Sequence, residues 1–183
     1  MLKKISLLLI LSTFLVSCGD ETDNSSWLIT VDEERYSMQI PSTWEIIEDK
    51  ENILPKASEW EIELAVTSTK VVNWFSNNLL ILSWKLNKMT TSKEYSMLNN
   101  VGTKTDYLEY KEKDSKEIIF ADEEVWMLYN FEARYNLDTP KLRFIQTAHI
   151  CNQTDVYFMT IALPSNITDT SKYEYLLSSF KCK

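Results

Sequence analysis

The chain is predicted to fold as an α+β protein in which an antiparallel β-sheet is flanked by helices. Two observations carry that prediction. From about Tyr36 onward apolar residues recur at every second position, the period of a strand, and two segments instead carry apolar residues at helical spacing behind a capping box. Strands grouped with a few helices, without regular strand and helix alternation, point to a sheet covered by helices.

In chain order, Tyr36, Met38 and Ile40 alternate with Arg35, Ser37 and Gln39, and Pro41-Ser42 breaks the run before Trp44. Trp60, Ile62, Leu64 and Val66 then alternate with Glu59, Glu61 and Glu63, which predicts a core face and an acidic, solvated face. Residues 79–86 are more continuously apolar, with Leu80, Leu82, Trp84 and Leu86 on one side, as expected for a strand inside the sheet. Thr91-Ser92-Lys93-Glu94 opens the first helix, Tyr95, Leu98 and Val101 form its stripe, and Gly102 is placed to end it in a left-handed conformation. A weaker extended stretch over 107–120 precedes strands at 125–135, 142–152 and 156–163, the last two joined by a hairpin around Gln153-Thr154. Ser171-Lys172-Tyr173-Glu174 opens the second helix, whose stripe of Tyr173, Leu176, Leu177 and Phe180 should pack on the sheet.

The N-terminus has a different character. Lys3 and Lys4 precede an apolar stretch over 5–16, shorter than the roughly 20 residues that a membrane-spanning helix needs. It ends in Leu15-Val16-Ser17-Cys18-Gly19, which resembles the lipobox of bacterial lipoproteins: an aliphatic residue three before the cysteine, a small residue before it, then glycine. The resemblance implies that residues 1–17 are a signal peptide and that Cys18 carries a diacylglyceryl anchor and becomes the new N-terminus. An incidental cysteine after an ordinary signal is the alternative. Each buried methylene contributes about 0.8 kcal/mol, so two or more acyl chains anchor stably where one is reversible. Asp20, Glu21, Asp23, Asn24, Ser25 and Ser26 hold too little apolar surface to fold, so residues 18–33 are expected to be a polar tether and 34–183 the domain.

Loss of Lys3 and Lys4 with the signal takes the basic count from 19 to 17 against 27 acidic residues, a net −10. This balance argues against nucleic acid as a partner and leaves membrane attachment to the acyl chains.

Several pieces together resemble the PsbP-like superfamily, named after the extrinsic subunit of photosystem II and including the yeast Ran-binding protein Mog. These are Tyr36-Ser37-Met38-Gln39-Ile40-Pro41-Ser42-Thr43-Trp44 at the opening, the mid-chain helix, the long strands ending in Tyr157-Phe158-Met159-Thr160, and Ser178-Ser179-Phe180-Lys181 near the end. The resemblance spans most of residues 36–183. It implies an α/β/α sandwich of antiparallel sheet and helices, and a role in binding or assembly rather than catalysis.

Chemistry-bearing residues are few. Cys151 and Cys182 are the only thiols of the mature body, and an exported protein meets an oxidising compartment. If the strand over 156–163 runs away from the hairpin and the last helix returns, Cys182 comes back to Cys151 and a disulfide forms; two free buried cysteines are the alternative. His149 is read as lying opposite the core face of its strand. A lone histidine cannot complete a zinc set, and no Cys-x-x-Cys or His-Glu-x-x-His is present, so no metal, cofactor or catalytic residue is assigned. With two glycines, phosphate-binding and dinucleotide loops are absent as well. Asp122-Glu123-Glu124 reads as a solvated turn rather than a calcium loop, which needs alternating oxygen ligands and a glycine. Trp74 and Phe75, adjacent in a connection between strands, form a partner contact if exposed and an edge of the core if tucked under the loop. The expected function is a membrane-anchored, extracytoplasmic binding or assembly module for an envelope protein. Its rival is a small-ligand-binding protein or hydrolase with an aromatic-lined pocket.

Overall fold

In a computed structural model that describes residues 27–48, 60–72 and 74–183, the alternating segments form ten strands arranged in two sheets. β1 (Leu28–Asp32), β2 (Tyr36–Pro41) and the short terminal β10 (Lys181–Cys182) make a three-stranded sheet in the order β1-β2-β10. The larger sheet holds β3 (Trp44–Ile46), β4 (Glu61–Val72), β5 (Phe75–Lys85), β6 (Leu108–Ile119), β7 (Val125–Arg134), β8 (Leu142–Cys151) and β9 (Asp155–Pro164), in the order β3-β4-β5-β9-β8-β7-β6. Every pairing is antiparallel. Among the described residues the two helices are α1 (Ser92–Asp106) and α2 (Ser171–Ser178), and neither is long and apolar enough to cross a membrane.

The architecture is therefore richer in sheet than the expected helix-flanked sandwich. β2 ends at Pro41, which has no N–H to continue a ladder, and the Ser42-Thr43 turn passes the chain from one sheet to the other. Tyr36, Met38 and Ile40 thus sit in a second sheet over the first, where the sandwich pattern called for a helix. Residues 28–32, expected within the tether, are strand β1: they pair with β2 from Leu28↔Pro41 to Asp32↔Ser37, and Val31 reaches the core. The signal segment 1–17, Cys18 and the tether up to residue 26 lie outside the described residues.

One face of the large sheet presents Leu64 and Val66, Leu79 and Ile81, Trp126 and Leu128, and Met159 and Ile161. These form a single core with β2 and with Tyr173, Leu176, Leu177 and Phe180 at and after α2. The opposite face carries a second cluster around Tyr129, Phe131, Phe144 and Ala162, with Tyr107 and Tyr110 packed against it. Since both faces are covered, β5 buries Leu79 and Ile81 more completely than the expected Leu80, Leu82 and Trp84 stripe. In β4 the register shifts between Ile62 and Leu64, so Glu63 leaves the acidic face, accepts a hydrogen bond from Ser83 and pairs with Arg35.

Helix α1 starts as its capping box requires: Thr91 accepts from the Glu94 N–H while the Glu94 carboxylate reaches the Thr91 N–H. Gly102 does not end it. The helix runs on to Asp106, Gly102 does not have positive φ, and the cap Tyr107 is extended. What carries the helix past the glycine is its buried side, which is polar: Ser96, Asn100 and Thr103 face the sheet while Leu98, from the expected stripe, is exposed. Helix α2 buries its apolar stripe, but its predicted capping box is not formed. The cap is Thr170, whose hydroxyl donates to Glu174, and the Ser171 N–H is satisfied by Asp169.

The edge strand β6 is long and exposed, and its register shifts and alternating charges from Glu109 to Glu117 blunt pairing with another chain. From it Lys113 reaches Glu132 on β7, where buried Arg143 also binds. Burial pushes the Glu132 carboxyl up, but hydrogen bonds and charge from Lys113 and Arg143 outweigh it and hold the group below its ordinary value of 4.5. A carboxyl whose pKa is depressed by folding stabilises the fold above its unfolded value, and that contribution is lost as pH falls through the folded one. Glu132→Gln should lower stability to urea at pH 7 by about 1–3 kcal/mol. Below about pH 4.5 the difference from the parent should shrink towards zero, as parallel unfolding curves at pH 7 and pH 3 would show.

Candidate functional site

Three segments meet at the β8–β9 hairpin end: the last residues of β8, the turn after β6, and the C-terminal β10. The hairpin turns through Asn152 and Gln153, both at positive φ. Beside it Cys151 and Cys182 are joined in a disulfide with Cα atoms 5.6 Å apart. β10 reaches this place because Phe180 anchors the end of α2 in the core, after which Lys181 and Cys182 pair with Ser37 and Tyr36.

His149 is the centre of the site, and its position corrects the reading of it as lying away from the core. It is 1% exposed. The strand face it occupies is covered by aromatic rings, for which the sequence offered no local signal: Trp126 stacks at 4.7 Å, Phe120 meets it edge-on at 4.8 Å, and Phe180 lies at 5.4 Å. Nε2 lies 2.9 Å from Asp122 Oδ2. A carboxylate only accepts, so Nε2 is the donor, an assignment made from the hydrogen-bond network. Nδ1 faces the disulfide, 3.5 Å from Cys182 Sγ. Asp122 also accepts the Cys182 N–H at 3.2 Å. The acidic turn is accordingly divided: Asp122 serves His149 and β10, Glu123 takes the positive φ of the bend, and Glu124 accepts from Ser92 at the start of α1.

This corner forms one wall of an open cleft of about 820 Å³, whose other walls come from residues 89–94 and the β8–β9 turn. The donor atoms of His149, Cys151 and Cys182 lie within 4.8 Å of one another. Motif reasoning missed this group because its third member stands 31 residues from Cys151, outside any short spacing pattern. With the disulfide closed there is no thiol nucleophile here, and His149 is engaged on both nitrogens.

A second polar cluster lies under α1. Thr103 donates to Gln146 at 2.9 Å, Gln146 to Thr160 at 3.0 Å, and Tyr110 to Asn100 at 3.2 Å. Burial pushes the Tyr110 hydroxyl up to about 12, so it stays a donor at physiological pH. The void beside this network is about 10 Å³, the space of a single water, and admits no larger ligand.

Trp74 and Phe75 are separated by the fold. Phe75 begins β5 and packs against the second core cluster, whereas Trp74 caps the β4–β5 hairpin at φ 72° and is 95% exposed. Asn78↔Ala162 and Lys85↔Asp155 in the β5–β9 ladder place this tip at the end of the sheet opposite the disulfide. It is also the end where the described chain begins: the Ser42 N–H donates to the Trp27 carbonyl, and Thr69 on β4 donates to the Thr43 carbonyl.

Comparison with known proteins yields little. No known family matches the sequence, and no curated protein matches it. A protein from Bacteroides thetaiotaomicron, known from a crystal structure at 1.50 Å, is similar over 81% of this chain, with a TM-score of 0.49 and 9% identity. The match covers 45% of that protein, so this chain spans less than half its length.

Closing the 31-residue separation between Cys151 and Cys182 should stabilise the fold by about 3–4 kcal/mol in the chain-entropy model. Cys182→Ser is therefore expected to lose about that much in urea unfolding. Alkylation of the unfolded parent should label the Cys151 and Cys182 peptides only after reduction.

Proposed function

We propose that this chain is a bacterial lipoprotein held through acylated Cys18 to a membrane of the cell envelope, on its extracytoplasmic side. The folded part acts as a non-catalytic binding or assembly module for an envelope protein. The anchor reading rests on the charged, apolar and Leu15-Val16-Ser17-Cys18-Gly19 order of the N-terminus. The module is read as PsbP-like, on its strand, Pro41, turn and Trp44 opening, its mid-chain helix and its Ser178-Ser179-Phe180 close.

The observation that carries the binding role is Trp74. A tryptophan 95% exposed at a hairpin tip, beside Val71 at 65%, contributes nothing to the core, and large aromatic side chains are the residue type that most often dominates protein contacts. Its tip stands at the end of the sheet from which the chain leads back towards the anchor, which favours a partner near the membrane surface.

A small-ligand protein or hydrolase is the second reading, favoured by Glu94, Asp122 and Glu124, which all line the cleft. Its expected aromatic lining is not there: the walls carry neither Trp nor Tyr. The binding role accounts for Trp74, and the pocket does not.

Cys18→Ser should leave the chain unprocessed by the lipoprotein signal peptidase and without acyl chains, shown by the mass of its N-terminal peptide; a mutant that is matured and acylated like the parent sinks the anchor. A photo-crosslinker at position 74, used in the native host, should yield a discrete adduct with one envelope protein. Trp74→Ser should weaken that association by about 30-fold, the loss of about 2 kcal/mol typical of a dominant contact. Its stability should stay within about 0.5 kcal/mol of the parent, as for an exposed surface change. Diffuse labelling, or unchanged affinity in the variant, removes Trp74 from the interface.

A further inference from the structure

We propose that opening the Cys151–Cys182 disulfide converts the buried corner at the β8–β9 hairpin into a zinc site, with the two thiolates and Nδ1 of His149 as protein ligands and the fourth position facing the cleft. The donor set is the first argument. Two cysteine sulfurs and one imidazole nitrogen already lie within 4.8 Å of one another, and this is a combination that zinc takes in tetrahedral sites with one open position.

The orientation of the imidazole is the second. A metal-bound histidine characteristically gives its other N–H to a carboxylate, which fixes the ring and raises its basicity. That arrangement is present: Nε2 donates to Asp122 at 2.9 Å, and Nδ1 is turned to the sulfurs, 3.5 Å from Cys182 Sγ. Stacking on Trp126 and edge contact with Phe120 hold the ring in this pose. A disulfide needs neither an imidazole nitrogen against its sulfur nor a carboxylate behind that imidazole, so these features are unexplained by the covalent bond alone.

Geometry and charge agree. Thiolates bound at about 2.3 Å in a tetrahedron lie about 3.8 Å apart. Cβ atoms of a disulfide are themselves about 3.8 Å apart, so rotation of both side chains to parallel C–S bonds reaches that separation. The backbone, with Cα atoms 5.6 Å apart, need not move. Two thiolates also neutralise the charge of Zn²⁺, which suits a place where His149 and Cys151 are 1% and 2% exposed. The open position is supplied by the cleft, which His149, Cys151 and Cys182 all line.

The chemistry balances in two steps. A dithiol reductant gives two electrons and two protons to the S–S bond, leaving two protein thiols and its own disulfide. Zinc then replaces both thiol protons, which pass to solvent as two Zn–S bonds form.

The test uses the full chain carrying Cys18→Ser, in detergent, so that only Cys151 and Cys182 supply thiols. A phosphine, which becomes its oxide as water provides the oxygen and protons, reduces the bond without competing for metal. Cobalt then reports the site. The reduced chain should bind one Co²⁺, with thiolate-to-cobalt charge transfer in the near ultraviolet and strong tetrahedral visible bands, and one equivalent of Zn²⁺ should displace it. The oxidised chain should show neither signal. Asp122→Asn should weaken zinc binding by about 10- to 100-fold while keeping the charge-transfer band, and His149→Ala should change the visible bands. If reduction loosens the fold, added zinc should restore the parent circular dichroism and melting. A reduced chain that binds no cobalt, a spectrum and affinity unchanged in both variants, or a loosened fold that zinc does not restore would each overturn the assignment.

Discussion

A buried chain of aromatic rings holds the two sheets and both ends of the described chain together. Phe180 stacks on Tyr36 from β2 at 5.2 Å and touches Tyr157 of β9 at the same distance, and through His149 it connects to Trp126 of β7. Aromatic side chains of this size each bury about 150–250 Å², and at about 25 cal/mol per Å² such a cluster outweighs any single surface ion pair of the molecule. β10 has only two residues and could not hold its register alone; with Phe180 seated, Cys182 is delivered to Cys151 and the Cys182 N–H to Asp122.

The same packing explains why the polar corner can exist inside apolar surroundings. His149 is enclosed by rings on its faces, and its two nitrogens meet a carboxylate and a sulfur. A buried imidazole without such partners would be destabilising. The network under α1 follows the same rule: Thr103, Gln146 and Thr160 satisfy one another, so the helix docks a polar side on the sheet without orphaned groups among these three. Polar burial here directs which surfaces meet, while the two aromatic and aliphatic clusters supply the driving force.

The molecule is consequently two-ended. One end carries the disulfide, His149 and the cleft; the other carries the exposed Trp74 tip and the point from which the chain leads back towards Cys18. Rigid antiparallel strands of ten to twelve residues separate them. A contact made at the Trp74 end and a metal held at the other would therefore occupy distinct surfaces, joined only through the shared core.

Much of the local structure was legible in the sequence because its causes are local. Apolar patterning marked β2, β4, β5 and β7 to β9 and, more weakly, β6, the Thr91 to Glu94 box marked the start of α1, and the 3.6-residue stripe from Tyr173 marked α2. Which sheet a strand joins is a different matter. Leu28, Ile29, Thr30 and Val31 have strand-forming character, but only pairing with β2 makes them part of the domain rather than of the tether, and Pro41-Ser42 signals a turn without telling that it crosses between sheets. Gly102 carried a local signal for helix termination that was overridden by side-chain bonds to the sheet, and Glu63 left its predicted face through a register shift that no alternation pattern contains. The pairing of Asp122 with His149, 27 residues apart, and the approach of Cys182 depend on how β6, β8 and α2 pack. By itself, then, the sequence determined the periodicities and the Thr91 cap of α1, which arise from neighbours along the chain. Only the tertiary structure decided the site, because its members are brought together by burial of rings that are distant in sequence.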